Sequence, residues 1–251
     1  MRVDSTSAIV TGAASGLGNA VARALATEGV RVFGLDLSAA VETAQPAHGI
    51  TYVAADITDV GDVERAVALA AGTGPLRTVV NCAGVAPSAR ILGRAGVHDL
   101  ALYARVVNVN LVGTFNVMSL AARAIAETDA DDGGQRGVVI NTASIAAFDG
   151  QIGQAAYASS KGGVAALTLP AARDLASHGI RVCTIAPGIV DTPMMAAFSD
   201  QVRASLADTV PFPRRPARAE EFAQLALAVI AHDYLNGEVI RMDGALRMAP
   251  G

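Results

Sequence analysis

The sequence predicts an α/β protein in which seven strands form one doubly wound parallel sheet. Short β-rich runs alternate with longer alanine-rich helical runs from end to end, and no repeat, linker or low-complexity tract divides the chain. The 251 residues are 52% hydrophobic and 17% charged, a composition that favours central strands buried on both faces. We therefore expect a single domain over residues 1–251.

Each element is predicted from apolar runs bounded by turn residues. The predicted strands are 7–11, 30–36, 51–56, 76–81, 137–143, 180–186 and 237–243. The clearest helical stretches between them are 18–29, 63–72, 120–128 and 164–179. The Asp- and Gly-rich loop at 129–137 predicts a turn before the fifth strand and no domain boundary.

The composition excludes several classes of function. A net charge of −4 with scattered arginines offers no basic field for nucleic acid. No run of eighteen apolar residues is present, so no membrane partner is expected. Cys82 and Cys183 lie in apolar segments without partners at metal-ligand spacing, which indicates reduced thiols and no metal site. The first strand begins near residue 7, leaving no room for a leader peptide, and a cytoplasmic location is expected.

A glycine-rich turn joins the first strand to the first helix. It reads TGAASGLG from Thr11, and its candidate cofactor-binding residues are Gly12, Ser15, Gly16, Leu17 and Gly18. Glycines permit a tight turn and close approach of the backbone to a pyrophosphate at the helix N-terminus. A strand-to-helix turn without a ligand is the alternative for this motif alone.

Two carboxylates follow the next strands and refine the cofactor prediction. Asp36 ends the second strand, eighteen residues after Gly18, where a carboxylate accepts hydrogen bonds from a ribose diol. It would repel a 2′-phosphate, and Leu37 supplies no cation, so NAD is favoured over NADP. Asp56, after the third strand, is placed to bind the adenine amino group or to be an N-cap in the turn ADITD.

Three residues predict proton transfer coupled to hydride transfer. Tyr157 and Lys161 are four apart and share a helix face, and Ser144 follows the fifth strand. A strand end and the next helix start meet at the carboxyl edge of a parallel sheet, where such folds bind ligands. An ammonium and an oxidised nicotinamide would stabilise a tyrosine phenolate as base, while the serine holds the substrate oxygen.

Lys161 is the only lysine in a chain with nineteen basic residues. A pair of the form YxxxK is often an ordinary exposed helix pair. The exposed cations of this chain are otherwise arginine, however, and a compact ammonium beside a titrating partner is a role for lysine. The combination favours a catalytic site.

These motifs resemble the short-chain dehydrogenase/reductase family. TGAASGLG, NCAG at 81–84, Ser144, YASSK at 157–161 and the APG turn at 186–188 fall in the family's order over the whole chain. The resemblance implies a Rossmann fold with strand order 3-2-1-4-5-6-7. It also implies that Asn110 holds a water that relays protons from Lys161. The further cofactor contacts that it implies are Ile57, Asn81, Cys82, Ala83, Gly84, Pro187, Gly188, Val190 and Thr192.

A closer similarity narrows the substrate. Residues 133–163, VPFP at 210–213 and NGEVIRMDGALRM at 236–248 resemble family members that oxidise short-chain 3-hydroxyacyl-CoA esters, including 2-methyl-branched ones. This implies NAD as cofactor, an acyl-CoA substrate, a homotetramer, and Gln151 facing the substrate together with Ser144 and Tyr157. The loop between Gly84 and Asn110 is the part of the chain that differs most from these family members.

Other functions remain open at this point. The same fold and residues would serve a steroid or another secondary alcohol. A dinucleotide-bound scaffold or RNA-processing subunit is the alternative of another class, although Ser144, Tyr157, Lys161 and Asn110 together favour an enzyme. Arg214 and Arg215 are candidates for coenzyme A phosphates or for a solvated turn.

Overall fold

The seven predicted strands are all present. A computed structural model of the chain describes residues 1, 3–94, 96–196 and 199–250. The strands are β1 (Ser7–Thr11), β2 (Arg31–Asp36), β3 (Ile50–Ala54), β4 (Leu76–Asn81), β5 (Gly137–Thr142), β6 (Ile180–Pro187) and β7 (Val239–Met242). Their bounds differ from the predicted ones by two residues at most.

The strands form one parallel sheet in the order β3-β2-β1-β4-β5-β6-β7, which confirms the predicted order. The chain reverses its direction of winding between β1 and β4. In an open parallel sheet this reversal leaves a crevice outside the carboxyl ends of the strands. Ligands are therefore expected at the end of β1.

Helices connect the strands on both faces of the sheet. They are α1 (Gly16–Thr27), α2 (Ser38–Thr43), α3 (Val60–Thr73), α4 (Leu100–Val107), α5 (Thr114–Ala126), α6 (Ala155–Ala176), α7 (Pro193–Ala196), α8 (Asp200–Asp208) and α9 (Ala219–Ala231). A π-helical turn, Asn108–Gly113, joins α4 to α5, and a 3₁₀ turn, Ile145–Ala147, precedes α6. Short two-residue strands pair Leu92–Gly93 with Gly96–Val97 and Val190–Asp191 with Ala217–Arg218.

The core lies in two layers, one on each face of the sheet. Adjacent residues of one strand enter opposite layers: Ile9 packs with α3 and α5, whereas Val10 packs with α1 and α9. Val79 and Val80 of β4 divide in the same way. Burial of both faces explains why the strands read as continuous apolar runs.

One helical segment, Leu100–Ala126, is long and apolar enough to span a membrane by length and composition. Its most apolar window is 44% buried inside the protein. Val117, Ala121 and Ile125 of α5 pack against the sheet in the first core layer. This packing accounts for the buried part of the apolar composition, while Val112 and Phe115 stay about half exposed.

Candidate active site

The glycine-rich loop lies at the reversal point, between the end of β1 and the start of α1. Gly12 and Gly16 have φ values of +65° and +53°, a backbone conformation that side chains disfavour. A Cβ on Gly12 would lie 2.9 Å from the amide nitrogen of Ala83, and a Cβ on Gly18 would collide with the carbonyl of Gly12. Tight backbone packing therefore leaves the N-terminus of α1, at Ser15 to Leu17, facing the crevice, which fits a pyrophosphate.

Two side chains fix this loop. The Thr11 hydroxyl oxygen accepts hydrogen bonds from the amides of Cys82 and Ala83, both at 3.0 Å, and joins the ends of β1 and β4. Asp36 accepts from the amide of Ala14 at 3.0 Å and from that of Leu37 at 2.9 Å. The Asp36 carboxylate thus lies at the tip of β2 beside the loop, as the sequence predicts.

Asp56 and Ile57 form the turn after β3. Asp56 accepts hydrogen bonds from the amide and hydroxyl of Thr58, at 2.9 and 2.7 Å. The N-cap of α3 is Asp59, so the interpretation of Asp56 as a helix N-cap is wrong. The second carboxylate of the sequence ADITD lies next to the helix and takes that position. Ile57 is buried against Gly113, and the adenine contact predicted for Asp56 stays a prediction.

Ser144, Tyr157 and Lys161 converge at the carboxyl end of β5. Ser144 caps the 3₁₀ turn, and its oxygen accepts from the amide of Ala146 at 3.1 Å. Tyr157 lies in the first turn of α6, and Lys161 follows one turn later. The Lys161 ammonium donates to the Thr142 carbonyl at 2.6 Å and lies 5.9 Å from the centre of the Tyr157 ring. The three residues form one cluster.

Burial dominates the electrostatics of this cluster. It raises the pKa of the Tyr157 hydroxyl, and a hydrogen bond with Ser144 acts in the opposite direction. Burial lowers the pKa of Lys161 to about 8. Both shifts have one cause, since a charged form loses hydration on leaving water. A charge brought into this site would therefore interact strongly with both groups.

Asn110 lies in the π-helical turn and is fully buried. Its amide nitrogen donates to the Val85 carbonyl and the Ser160 hydroxyl, both at 2.9 Å, and its amide oxygen accepts from the Val85 amide at 2.8 Å. A Cβ on Gly84 would lie 3.0 Å from that oxygen and 3.6 Å from the Lys161 nitrogen. Asn110 thus lies across Gly84 from Lys161, and its part in a proton relay stays a prediction.

The segment 81–84 lies between the glycine-rich loop and Lys161. Asn81 donates to the Asn141 side chain at 2.9 Å, and its own side-chain oxygen has no hydrogen-bond partner among the described residues. Burial raises the pKa of the Cys82 thiol to about 11, which keeps it protonated. The Thr142 hydroxyl lies 3.6 Å from the Cys82 sulfur. Cysteine at this position is therefore an uncharged packing group.

The loop after β6 completes the crevice. Pro187 ends β6, and the Gly188 amide donates to the Met242 carbonyl at 2.9 Å. Val190 is buried, and a Cβ on Gly16 would lie 3.6 Å from the side chain of Thr192. The loop thereby contacts the N-terminus of α1. The family resemblance implies that Val190 and Thr192 of this loop contact the nicotinamide end of the cofactor, and that contact stays a prediction.

Gln151 lies beside a groove of about 430 Å³ that Arg90, Ile91 and Gln154 also line. Its side-chain nitrogen donates to the carbonyl of Ala249 at 3.0 Å, so the amide is held by the C-terminal segment. Its contact with substrate stays a prediction.

Several residues of the site were not found from the sequence. Thr142 contributes a backbone carbonyl, which no side-chain pattern indicates. Thr11 and Ser160 act through hydroxyls that resemble ordinary buried polar residues. A buried threonine at the last position of β1, directly before the glycines, was an available signal. No group of three or more His, Cys, Asp or Glu side chains in the described part of the chain is arranged to hold a metal ion.

Arg215 forms a bidentate pair with Glu221, at 2.8 and 2.7 Å, and Arg214 is exposed. The Arg215 guanidinium is therefore engaged within the protein. This favours the turn interpretation for Arg215 and leaves Arg214 as the candidate for a phosphate.

The model of the family described as short chain dehydrogenase matches residues 6–203. The chain belongs to this family. As a short-chain dehydrogenase it is an oxidoreductase that uses a nicotinamide dinucleotide, and the crevice described above has the backbone cradle that such a cofactor requires. The resemblance drawn from the motifs is confirmed.

Individual relatives match nearly the full chain. The 3-hydroxyacyl-CoA dehydrogenase type-2 of Bos taurus is 48% identical, over 97% of this chain and 95% of the relative. The (3R)-3-hydroxyacyl-CoA dehydrogenase of Canis lupus familiaris is 35% identical, over 99% of this chain and 98% of the relative. The crystal structure of 3-hydroxyacyl-CoA dehydrogenase type-2 from Mycobacterium avium superposes with a TM-score of 0.91 at 40% identity, covering 98% of each chain.

Proposed function

We propose that this short-chain dehydrogenase interconverts 3-hydroxyacyl-CoA and 3-oxoacyl-CoA esters with NAD, acting on short and 2-methyl-branched chains. The observation that carries the chemistry is the cluster of Ser144, Tyr157 and Lys161 beside the glycine-rich loop. The near full-length similarity to 3-hydroxyacyl-CoA dehydrogenases supports the substrate class.

The side chains divide the proton chemistry between them. NAD, when bound, supplies the hydride acceptor and a positive charge near the tyrosine. Tyr157 as phenolate removes the proton from the substrate hydroxyl, and Ser144 donates a hydrogen bond that orients the substrate oxygen. Lys161 stabilises the phenolate as a nearby cation, and the phenolate in turn favours the charged form of Lys161. Asn110, across Gly84, is the anchor proposed for the proton relay.

The preference for NAD rests on Asp36. Its carboxylate lies at the end of β2 next to the amide of Ala14. A 2′-phosphate there would be repelled, and the neighbouring Leu37, 57% exposed, offers no cation to compensate. Ribose hydroxyls would instead donate to the remaining lone pairs of the carboxylate.

The test is the reduction of acetoacetyl-CoA with NADH and, in parallel, with NADPH. Turnover with NADH alone supports both the substrate class and the role of Asp36. Turnover with NADPH at an equal rate contradicts the cofactor assignment. Absence of turnover with both contradicts the acyl-CoA assignment, and steroids and other secondary alcohols then become the substrates to test.

We also propose that the protein is a homotetramer. An apolar groove of about 680 Å³ runs between α5 and α6, lined by Phe115, Met118, Leu167 and Leu175 among others. Phe115 is 50% exposed and nearby Leu169 is 45% exposed. Exposed apolar area of this kind is covered in stable assemblies. Light scattering of wild type and of Phe115→Glu tests this: a tetrameric wild type and a smaller variant are expected.

A cytoplasmic location, without nucleic-acid or membrane partners, is proposed as well. Cys82 and Cys183 are free thiols, which fits a reducing compartment. The net charge of −4 disfavours binding to a polyanion. Fractionation of cells that express the full chain is the test.

A further inference from the structure

Arg241 on the edge strand β7 connects the sheet to the active-site side of the molecule. Its guanidinium donates to the Asp149 carboxylate at 2.6 Å, to the Asp243 carboxylate at 2.7 Å and to the Leu246 carbonyl at 3.0 Å. It also lies 5.3 Å from the centre of the Phe148 ring. The Arg241 and Asp149 side chains are only 21% and 19% exposed. A planar guanidinium in such surroundings holds several partners in a fixed geometry.

Phe148 and Asp149 belong to the segment that separates Ser144 from Tyr157. The amides of both residues donate to the Ile145 carbonyl at 2.9 Å, so the Asp149 carboxylate lies one short turn from Ser144. At the other end, a Cβ on Gly150 would lie 3.1 Å from the Cβ of Ala158, which leaves little space between this segment and α6. A shift of the segment would therefore move Ser144 relative to Tyr157.

The C-terminal segment 246–250 contacts the same stretch. Leu246, whose carbonyl Arg241 binds, packs with Ile145 in a buried apolar cluster. The Ile152 amide donates to the Pro250 carbonyl at 2.8 Å, and the Gln151 side chain donates to the Ala249 carbonyl. Arg241 lies at the point where the two segments meet the sheet.

We propose that Arg241 is a positioning residue: through its ion pair with Asp149 and its bond to Leu246, it fixes residues 145–154 and so sets the geometry between Ser144 and Tyr157. It touches neither substrate nor cofactor in this role. The kinetic consequence rests on the proposed function, because it concerns the substrate oxygen held between these two residues. Misplacement of such groups by about 1 Å can reduce turnover by about 10²-fold while cofactor binding elsewhere is retained.

The experiment compares Arg241→Met with Arg247→Met. Arg247 shares the Asp243 partner and the Leu246 carbonyl, but its side chain is 62% exposed. It acts on Asp149 through its charge alone, without a hydrogen bond to it among the described residues. For Arg241→Met we expect kcat/KM for acetoacetyl-CoA to fall at least about tenfold, with the NADH Kd within threefold of wild type. Arg247→Met is expected to match wild type. Equal kcat/KM in the two variants, or loss of NADH binding in step with activity, would overturn the proposal.

Two further measurements separate positioning from a general effect on folding. A double-mutant cycle combines Asp149→Ala with Arg241→Met. Both substitutions break the ion pair between Arg241 and Asp149, so kcat/KM of the double variant should be no more than about threefold below that of the worse single variant. Full additivity of the two losses would contradict a shared role for this ion pair.

Hydrogen exchange of peptides from 145–154 should be faster in Arg241→Met than in Arg247→Met, and equal exchange would overturn the proposal. This comparison needs no turnover, so it holds even if the wild type fails to reduce acetoacetyl-CoA and the proposed substrate is wrong.

Discussion

The Lys161 ammonium donates a 2.6 Å hydrogen bond to the carbonyl of Thr142, the last residue of β5. Ser144 follows that carbonyl by two residues, and Tyr157 precedes Lys161 by one helical turn. One short bond therefore links the strand that carries the serine to the helix that carries the tyrosine. The same ammonium holds strand and helix together and is a cation 5.9 Å from the centre of the Tyr157 ring.

Tyr157→Phe tests the role of the hydroxyl as general acid and base. The ring and its packing remain, so the NADH Kd should stay within a few-fold of the wild-type value. Turnover of acetoacetyl-CoA should fall by about 10²–10⁴-fold, the loss typical of a missing proton-transfer group. Steady-state kinetics and NADH fluorescence titration give the two quantities. Wild-type turnover in this variant would show that another group moves the proton.

Lys161→Arg tests why the single lysine lies here. The site is closed around the ammonium: Lys161 is 4% exposed, and Gly84 and Thr142 approach it closely. A planar guanidinium keeps the charge but requires more space and different donor directions. We expect most of the activity to be lost, at least tenfold in kcat, with Lys161→Met as the variant that lacks the charge. Full activity of Lys161→Arg would mean that any cation suffices.

The strand pattern, the catalytic cluster and the glycine-rich loop could be predicted because each depends on local residue type. Ser144 and Tyr157 are brought together by the order of the sheet, which the alternation of elements already specifies. The four-residue spacing of Tyr157 and Lys161 places both on a helix, which the bounds of α6, Ala155–Ala176, confirm. The spacing does not give the first residue, Ala155, because the serines at 159–160 and the glycines at 162–163 conceal the periodicity. The contact of Gln151 with Ala249 joins residues 98 apart in sequence, and no spacing rule indicates it.

The depressed pKa of Lys161 predicts a pH dependence of stability. A buried lysine with a folded pKa of about 8, against an ordinary pKa of 10.5, binds fewer protons in the folded state than in the unfolded state between these pH values. Below about pH 8, burial of the charged lysine therefore lowers the free energy of unfolding of the cofactor-free protein by its full amount. This destabilisation disappears as pH rises towards 10.5. The free energy of unfolding of wild type relative to Lys161→Met should rise by on the order of 2 kcal/mol between pH 7 and pH 9.5.

Urea denaturation of both variants at the two pH values measures this difference. Burial raises the pKa values of Cys82, Cys183 and Tyr157, so these groups lower the free energy of unfolding as pH rises. Both proteins contain them, and subtracting the value of Lys161→Met from that of the wild type removes their contributions. A difference that does not change with pH would show that Lys161 stays charged in the folded protein without cofactor.

Asp36→Asn tests the electrostatic basis of cofactor choice. The amide oxygen of asparagine still accepts the Ala14 amide, so the glycine-rich loop keeps the bond that is 3.0 Å long in the wild type. The negative charge that would repel a 2′-phosphate is removed, and the adjacent Leu37→Arg substitution would add a cation for it. We expect the ratio of kcat/KM for NADH to that for NADPH to fall at least about tenfold in Asp36→Asn and further in the double variant. Leu37→Arg alone is the control, since Asp36 would pair with the new cation. An unchanged ratio in the double variant would show that the preference arises elsewhere in the crevice.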